Sequence, residues 1–355
     1  MSPLRQPKSV LVTGGCGFIG SAFVRYLLGQ PGFDGRLVNL DLLTYAANPE
    51  NVAEAAAAAG ERYVFVHADI GDAEAVARAC REYAVDTIVH FAAESHVDRS
   101  IVGPGAFVQA NIVGTYQLLE VVRSQSQIHF HHVSTDEVYG SLGRTGLFHE
   151  TTPYDPSSPY SASKAASDHL VRAYARTYGL STTLSNCSNN YGPYQFPEKL
   201  IPLMIMNLVD GKPLPVYGTG ANVRDWLYVD DHVEAIWSIV QHGARGQTYN
   251  IGGEAEWANI ALLHKLIEVV AGVTGRDSET LRKQITFVAD RPGHDARYAI
   301  DCSKLKSELG WSQRHDIDSG LLATVRWYLE HPEWILRVKS GAYREWLDKN
   351  YADRR

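Results

Sequence analysis

A short apolar strand that runs directly into a glycine-rich turn is the feature that most limits the folds open to this chain. Residues 9–13 read Ser-Val-Leu-Val-Thr, and Gly14, Gly17 and Gly20 follow before a helical stretch. The first glycine permits the tight turn, the second lets backbone approach a pyrophosphate, and the third lets the helix pack on the strand. Phosphate then binds the N–H groups that begin the helix. The pattern predicts a dinucleotide-binding unit, although its spacing departs by one residue from Gly-x-Gly-x-x-Gly.

The second predicted strand supplies an acid where a dinucleotide needs one. Residues 36–40 read Arg-Leu-Val-Asn-Leu and end at Asp41. An acid about 20 residues after the glycines is placed to bind the adenosine ribose diol. Because a carboxylate repels a 2′-phosphate, Asp41 predicts NAD rather than NADP as the cofactor.

The remaining strands and helices alternate along the first half of the chain, which is typical of a parallel sheet covered by helices. We therefore predict an α/β fold: a Rossmann-type doubly wound parallel sheet with a smaller C-terminal substrate-binding lobe. The NAD-binding domain, with the catalytic residues, is assigned to residues 1–191. The smaller substrate-binding lobe is assigned mainly to residues 192–355, with some chain crossing back to the first domain. Further strands are predicted over 63–66, 85–91, 128–133 and 181–187, and long helices over 105–122, 160–178 and 321–346.

Proton-handling side chains follow the predicted strand at 128–133. Thr135, Asp136 and Glu137 fall beyond the carboxyl end of that strand, where ligands bind in open α/β sheets. Two carboxylates that act as acid and base need opposite protonation states, and burial with mutual repulsion raises the pKa of one of them. Neighbouring residues of an extended segment point in opposite directions. We therefore expect the backbone to bend after Thr135.

A tyrosine and a lysine lie one turn apart at the start of the next predicted helix. Ser158 is a good N-cap and Pro159 suits the first helical position, so Tyr160 lies in the first turn with Lys164 on the same face. A free tyrosine has a pKa of ~10. The lysine cation and the positive end of the helix dipole are expected to lower that pKa, which makes Tyr160 a candidate base near neutral pH.

Three cations in the second half of the chain are candidates for a second diphosphate site. Lys199, Arg224 and Arg291 are well separated in sequence, and guanidinium groups bind phosphate bidentately. We predict that they converge in the smaller lobe. Taken singly, each of them is more typical of a surface or salt-bridge residue.

Charge and composition exclude several classes of function. The net charge of −7 is unlike the basic footprint of a nucleic-acid-binding protein. The sequence contains no apolar run of membrane-spanning length and no apolar signal core, and its four scattered cysteines suit reduced thiols, so we predict a cytoplasmic location. The group His129, His131 and His132 has poor metal-ligand spacing, and we predict no metal.

Taken together, the motifs resemble those of the extended short-chain dehydrogenases/reductases, and within them the dTDP-glucose 4,6-dehydratases. The resemblance runs nearly end to end, and its discriminating element is Ser-Thr-Asp-Glu-Val-Tyr-Gly at 134–140. Related epimerases and decarboxylases usually lack this Asp-Glu pair. A small departure is Ala110, where members often carry threonine. The other matching segments are 13–20, 92–100, 159–164, 186–193, 224–229 and 290–294.

The resemblance implies a reaction and a homodimer. Tyr160, helped by Lys164, takes the 4-OH proton of dTDP-glucose while NAD accepts hydride from C4. Glu137 then removes the C5 proton, Asp136 protonates the departing 6-OH, and hydride returns to C6. Thr135 is expected to hydrogen-bond the 4-oxygen, and the helices at 105–122 and 160–178 to pair with a second copy. The catalytic residues are thus Thr135, Asp136, Glu137, Tyr160 and Lys164.

Together with the glycines and Asp41, the resemblance assigns two sets of binding residues. The expected cofactor contacts are Gly14, Gly17, Phe18, Ile19, Gly20, Asp41, Leu42, Leu43, Thr44, Asp69, Ile70, Phe91, Ala92, Ala93, Ser95, Tyr160, Lys164 and Asn190. The expected substrate contacts are Ser95, Thr135, Asn189, Lys199, Leu200, Pro215, Val216, Tyr217, Arg224, Asn259, Asp290, Arg291, Pro292, Gly293 and His294.

Other readings of the sequence stay open. Another nucleotide-sugar epimerase or decarboxylase shares NAD, Tyr160 and Lys164 but does not need an acid at position 136. A non-catalytic NAD-binding protein shares the fold, since fold alone does not fix function. The preferred base is also open, because thymine and uracil differ by one methyl group, worth only ~1–3 kcal/mol in a pocket.

Overall fold

The structure, a computed structural model, describes residues 4–339. A seven-stranded parallel sheet forms its centre, in the order β10-β6-β5-β4-β1-β2-β3. Its strands are β1 (Ser9–Thr13), β2 (Arg36–Asp41), β3 (Tyr63–His67), β4 (Thr87–His90), β5 (His129–Thr135), β6 (Thr182–Cys187) and β10 (Thr248–Ile251). The central strands are buried along their whole length because helices cover both faces. The predicted doubly wound sheet is therefore confirmed.

The smaller lobe is built on two further sheets. One is the three-stranded sheet β11-β9-β7 and the other the two-stranded sheet β12-β8. Their strands are β7 (Asn189–Tyr191), β8 (Leu214–Tyr217), β9 (Val223–Tyr228), β11 (Glu256–Ala258) and β12 (Ile285–Val288). The predicted domain boundary at residue 191 stays a prediction. The sheets show that β10 returns from the second half of the chain to pair with β6 in the central sheet.

Helices connect these strands. They are α1 (Phe18–Gly29), α2 (Ala53–Ala59), α3 (Ala73–Glu82), α4 (Val97–Val102), α5 (Pro104–Phe107), α6 (Thr115–Ser124), α7 (Pro159–Tyr178), α8 (Leu200–Asp210), α9 (Val229–His242), α10 (Asn259–Thr274), α11 (Ser278–Arg282), α12 (Ser303–Leu309), α13 (Ile317–Glu330) and α14 (Pro332–Val338). Within residues 4–339 no helix has the length and apolar character that crossing a membrane requires.

Two of the predicted long helices are interrupted. The helix predicted over 105–122 contains a π-helical segment, Val108–Gly114, in which the Asn111 side chain bonds Glu94 and the Ser163 hydroxyl. A side chain thus competes with the regular helix pattern. The helix predicted over 321–346 breaks at Pro332, since proline removes a backbone donor. Its predicted continuation to Trp346 lies outside the described residues.

Candidate active site

The glycine-rich turn and helix α1 form one wall of a deep cavity at the carboxyl ends of the central strands, called here the cofactor cavity. Gly14 has a φ of 70°, and a Cβ built there would lie 2.7 Å from the backbone nitrogen of Ala92. A Cβ at Gly20 would collide with the Gly14 carbonyl. Only glycine fits these two positions. No side chain caps the start of α1, so its first N–H groups stay available to an anion.

Asp41 lies at the end of β2 on the opposite side of the turn. Its carboxylate is buried, and one oxygen accepts a 2.8 Å hydrogen bond from the Cys16 N–H. The other oxygen accepts a 2.8 Å hydrogen bond from the Leu43 N–H. Each oxygen keeps a second lone pair, so the carboxylate is held rigidly and is still able to accept from a diol.

The backbone bends directly after Thr135, as predicted. Strand β5 ends there, and a 3₁₀ turn over Asp136–Tyr139 follows, so both carboxylates line the cofactor cavity. Burial, followed by repulsion from Glu137 and Asp225, raises the pKa of Asp136 well above its usual range. Its Oδ2 is a buried oxygen with no hydrogen-bond partner within residues 4–339. Asp136 is therefore a carboxylic acid with a free hydrogen-bonding position.

Glu137 differs from Asp136 in its surroundings. Burial raises the pKa of Glu137 overall, and the nearby cations Arg291, Arg224 and Lys199 oppose part of that rise. At Asp136 the neighbouring carboxylates of Glu137 and Asp225 add to the effect of burial. The surroundings therefore favour the neutral form of Asp136 more strongly than that of Glu137, which suits one acid and one base.

Helix α7 begins with the predicted cap and places Tyr160 and Lys164 in the same cavity. The Ser158 side chain accepts from the Ser161 N–H, and both side chains complete a capping box. The prediction for the pKa of Tyr160 is wrong, however. Burial and the charges of Glu137, Cys187 and Asp136 raise that pKa well above 10, while a hydrogen bond with Thr135 lowers it. The Lys164 ammonium instead donates a 2.9 Å hydrogen bond to the Val133 carbonyl.

A second cavity adjoins the cofactor cavity and brings the three predicted cations together. Lys199, Arg224 and Arg291 all line it. Arg224 is held by hydrogen bonds to the carbonyls of Val223 and Asp295 and lies 4.2 Å over the Tyr298 ring. The residues that line both cavities are Glu137, Asn189, Glu198 and Lys199. Glu137 thus lies at the junction of the two cavities, next to Asp136 in the cofactor cavity.

Most of the sequence-predicted residues lie in one of the two cavities. Every predicted catalytic residue lines the cofactor cavity. Of the cofactor contacts, only Leu43 is outside the lining, and there its N–H serves Asp41. Of the substrate contacts, those outside both linings are Asp290, Pro292 and Gly293. Asp290 accepts a 2.6 Å hydrogen bond from His294, so it orients a lining residue instead.

Sequence reasoning missed Glu198, whose side chain is only 2% exposed and lines both cavities. It accepts hydrogen bonds from Tyr45 (2.8 Å) and Arg99 (3.1 Å). The sequence signal that could have identified Glu198 as a site residue was its position next to Lys199 in a segment without helical periodicity. Other missed lining residues are Ala46, Ala47, Glu94, His96, Asp98, Cys187, Ser188, Gln195, Phe196 and Trp226.

The three neighbouring histidines form hydrogen bonds in the core. His129 bonds the hydroxyls of Ser181 and Thr183, and His131 bonds those of Thr183 and Ser185. Within the part of the chain that the structure describes, no group of His, Cys, Asp and Glu has the arrangement of a metal site.

Fold and site together define an extended short-chain dehydrogenase/reductase. A family model described as GDP-mannose 4,6 dehydratase matches residues 11–324. The chain is 52% identical to dTDP-glucose 4,6-dehydratase 1 of Escherichia coli K12, over 97% of this chain and 99% of the relative. It belongs to this family and, within it, to the dTDP-glucose 4,6-dehydratases, as the sequence motifs predicted.

Solved structures agree with the family assignment. The dTDP-glucose 4,6-dehydratase of Streptomyces venezuelae, solved with NAD bound, is 47% identical, with a TM-score of 0.84 over 92% of this chain and 98% of that chain. The UDP-glucose 4-epimerase of Thermotoga maritima, solved with UDP-glucose, is 27% identical, with a TM-score of 0.81 over 91% and 99%. The fold is thus shared with epimerases, while the sequence is nearer to the dehydratase.

Proposed function

We propose that this chain is an NAD-dependent lyase that converts dTDP-glucose to dTDP-4-keto-6-deoxyglucose and water. The observation that carries the proposal is the position of Asp136 and Glu137. Asp136, as the acid, lines the dinucleotide cavity, and Glu137, as the base, lines both that cavity and the second, cation-lined cavity. The relatives named as dTDP-glucose 4,6-dehydratases supply the identity of the nucleotide and the sugar.

The residues of the cofactor cavity fit NAD. The uncapped start of α1 suits the pyrophosphate, and the buried Asp41 carboxylate suits the adenosine ribose while repelling a 2′-phosphate. Tyr160 and Lys164 line the same cavity at its catalytic end. Bound NAD accepts the C4 hydride and later delivers it to C6, and its cationic ring favours the Tyr160 phenolate.

Tyr160 and Thr135 act on the sugar 4-oxygen. The phenolate of Tyr160 takes the 4-OH proton as the C4–H bond breaks, which leaves a ketone at C4. The Thr135 hydroxyl, already hydrogen-bonded to Tyr160, donates to that oxygen. The ketone makes the neighbouring C5 proton acidic.

The two carboxyl groups then remove water. Glu137 takes the C5 proton, and the neutral Asp136 gives its proton to the departing 6-oxygen, so the C6–O bond breaks and a C5–C6 double bond forms. Glu137, after exchanging that proton with solvent, protonates C5 when C6 receives hydride. The buried, unpartnered Oδ2 of Asp136 gives the acid a position from which to reach the 6-OH.

The proton balance requires one further transfer. After a cycle Tyr160 holds an extra proton and Asp136 has lost one. The Thr135 hydroxyl lies 3.4 Å from Asp136 Oδ1 and is hydrogen-bonded to Tyr160, so it offers a path that restores both groups. The cycle then needs no external oxidant or reductant.

The second cavity holds the nucleotide diphosphate in this proposal. Lys199, Arg224 and Arg291 supply the positive charge, and the buried Arg224 presents a fixed guanidinium. The surroundings of the base determine a preference between thymine and uracil of only ~1–3 kcal/mol.

One experiment tests the reaction. The protein is incubated with dTDP-glucose and, separately, with UDP-glucose in deuterated water, and the products are identified by NMR. We expect the 4-keto-6-deoxy sugar with deuterium at C5, formed faster from dTDP-glucose. A C4 epimer, or a product without deuterium at C5, would contradict the proposal, and a protein that binds NAD but forms no product would favour the non-catalytic reading.

We also propose that the protein is a cytoplasmic homodimer. Its four cysteines are free thiols, as expected in a reducing compartment. The helices α4 to α7 carry large apolar side chains that are exposed in the monomer. They are Val102 (64% exposed), Val108 (49%), Tyr116 (41%) and Tyr178 (49%). A second copy packed against these helices is the proposed partner.

A further inference from the structure

A group of buried side chains that contact Lys164 takes no part in the steps proposed above. Asp168 lies one turn after Lys164 on α7, and His132 faces both from β5. The side chains of His132 and Asp168 are fully buried. One ring nitrogen, His132 Nε2, lies 3.4 Å from Lys164 Nζ and 3.2 Å from Asp168 Oδ1, so it contacts both the cation and the anion.

The second carboxylate oxygen of Asp168 is fixed from three directions. It accepts hydrogen bonds from Ser134 Oγ (2.9 Å), Tyr154 Oη (2.8 Å) and Asn186 Nδ2 (3.3 Å). Asn186 Nδ2 also donates a 3.1 Å hydrogen bond to the Thr135 carbonyl. Asp168 is therefore anchored to the end of the strand that carries the catalytic Thr135.

The charges in this group balance. Burial lowers the pKa of Lys164, and Asp168 opposes that effect. Burial lowers the pKa of His132 to about 4, so the ring is neutral at neutral pH. Burial alone would raise the pKa of Asp168, but His132 and Lys164 lower it overall. One ammonium and one carboxylate thus neutralise each other inside the protein.

We propose that Asp168 is a positioning residue whose buried carboxylate, acting across His132, keeps Lys164 in its ammonium form beside the cofactor cavity. The inference rests on the proposed function, because it assigns Asp168 a part in the C4 oxidation step. In that step a charged Lys164, one turn after Tyr160 on α7 and lining the same cavity, is expected to favour the Tyr160 phenolate. Without a counter-charge, burial would favour neutral lysine.

The other titratable groups near Lys164 do not replace Asp168. Cys187 on β6 faces the lysine, and burial raises the pKa of its thiol, so it is neutral. His90 on β4 stacks 5.1 Å from the His132 ring, and burial lowers its pKa well below 6.5, so it is neutral too. Tyr160 is the group that Lys164 supports. Arg172 donates a hydrogen bond to Tyr154 near Asp168. It is a cation, so its charge lowers the pKa of His132 and cannot stand in for the Asp168 carboxylate.

The test is a pH profile of C4 oxidation in the variant Asp168→Asn. The NAD-loaded full-length protein is mixed with dTDP-glucose, and single-turnover NADH formation is followed from about pH 6 to pH 10. We expect the alkaline fall in rate to move at least one pH unit lower, which is about a tenfold loss of rate on that limb. Substrate affinity, measured separately, is expected to change less than threefold.

Tyr154→Phe is the matched control. This variant removes a hydrogen bond to the same oxygen of Asp168 but leaves the charge of Asp168. The alkaline limb of its pH–rate profile is therefore expected to stay at the same pH as in the parent protein. An unmoved limb in Asp168→Asn, or an equal movement in Tyr154→Phe, would overturn the inference. Failure of the proposed function would look different, since the parent protein would then form no NADH with dTDP-glucose at any pH.

A second measurement covers the case in which Asp168→Asn does not fold. The unsubstituted protein is labelled with ¹³C at the lysine ε-carbon, and the resonance missing in Lys164→Arg is assigned to Lys164. We expect that resonance to remain that of an ammonium above pH 8. Titration of Lys164 below pH 8 would overturn the inference.

Discussion

Tyr45 donates a 2.8 Å hydrogen bond to Glu198, which lies 153 residues later in the chain. The link joins the segment after β2 to the segment before α8, and both segments line the cofactor cavity. Arg99 strengthens it, with its guanidinium 3.8 Å over the Tyr45 ring and a 3.1 Å hydrogen bond to Glu198. The link therefore holds together two segments that border the cofactor cavity.

The first prediction is that Tyr45→Phe releases NAD faster. Phenylalanine keeps the ring under Arg99 but loses the bond to a buried carboxylate, which is worth about 1.5–3 kcal/mol. We expect release to accelerate roughly tenfold to a hundredfold. The measurement is NAD retained by the holoenzyme against time after rapid dilution and filtration. Tyr83→Phe, outside the cavity lining, is the control, and equal release from both variants would show that the link does not hold the cofactor.

A second prediction separates the two carboxyl groups. In Asp136→Asn the acid for the 6-oxygen is lost, and we expect dehydration to slow by about 10²–10⁴ while C4 oxidation continues. NADH then accumulates on the protein, and Glu137 still exchanges the C5 proton for deuterium. Glu137→Gln is the matched contrast, in which C5 exchange is expected to disappear. Normal dehydration by Asp136→Asn would remove Asp136 from the role of acid.

The sequence predicted six of the seven strands of the central sheet because most of them are short apolar runs that end in a distinctive group, whereas β10 was not predicted. Gly14 and Asp41 mark the ends of β1 and β2, and Thr135 the end of β5. The carboxyl ends of parallel strands share one edge, so the position of the site followed from the order of the strands. The bend after Thr135 was predictable because two neighbouring side chains had to face one cavity.

What the sequence did not show depends on contacts between distant segments. The π-helical segment contains Asn111, whose side chain bonds Glu94 and Ser163, and helical periodicity carries no sign of such bonds. Likewise, the pKa of Tyr160 depends on burial and on Glu137, which only the folded chain brings together. Glu198 was missed for the same reason, since its partners Tyr45 and Arg99 lie in the other half of the chain.

A third prediction concerns the proposed homodimer. A glutamate at Val108 places a charge in the apolar surface of α4 to α7, so Val108→Glu is expected to give a monomer at micromolar concentration. Phe287→Glu is the control, because Phe287 is also exposed (59%) but lies on β12 of the smaller lobe. Light scattering coupled to gel filtration measures the mass of each. A monomeric parent, or a dimeric Val108→Glu, would place the interface elsewhere.

The last prediction is that the free energy of unfolding begins to fall at a pH well above the range in which ordinary carboxylates titrate. Burial lowers the pKa of His129 to about 3, of His132 to about 4 and of His232 to about 3. Because these folded-state pKa values lie below the unfolded value of 6.5, the unfolded chain binds the protons first. The stabilisation is complete above pH 6.5 and is lost as pH falls towards 4.

The expected slope follows from the number of such histidines. Each contributes roughly 1.4 kcal/mol per pH unit in that window, so these three alone contribute roughly 4 kcal/mol per unit. The other histidines whose pKa burial lowers add to that slope; they are His90, His96, His131 and His294. Urea unfolding at pH 8, 7, 6 and 5 measures the free energy of unfolding. We expect a level curve between pH 8 and 7 and a steep fall below pH 6. His129→Gln, which retains partners for Ser181 and Thr183, is expected to reduce the slope by roughly 1.4 kcal/mol per pH unit. A curve that stays level to pH 5 would contradict the buried neutral state of these rings.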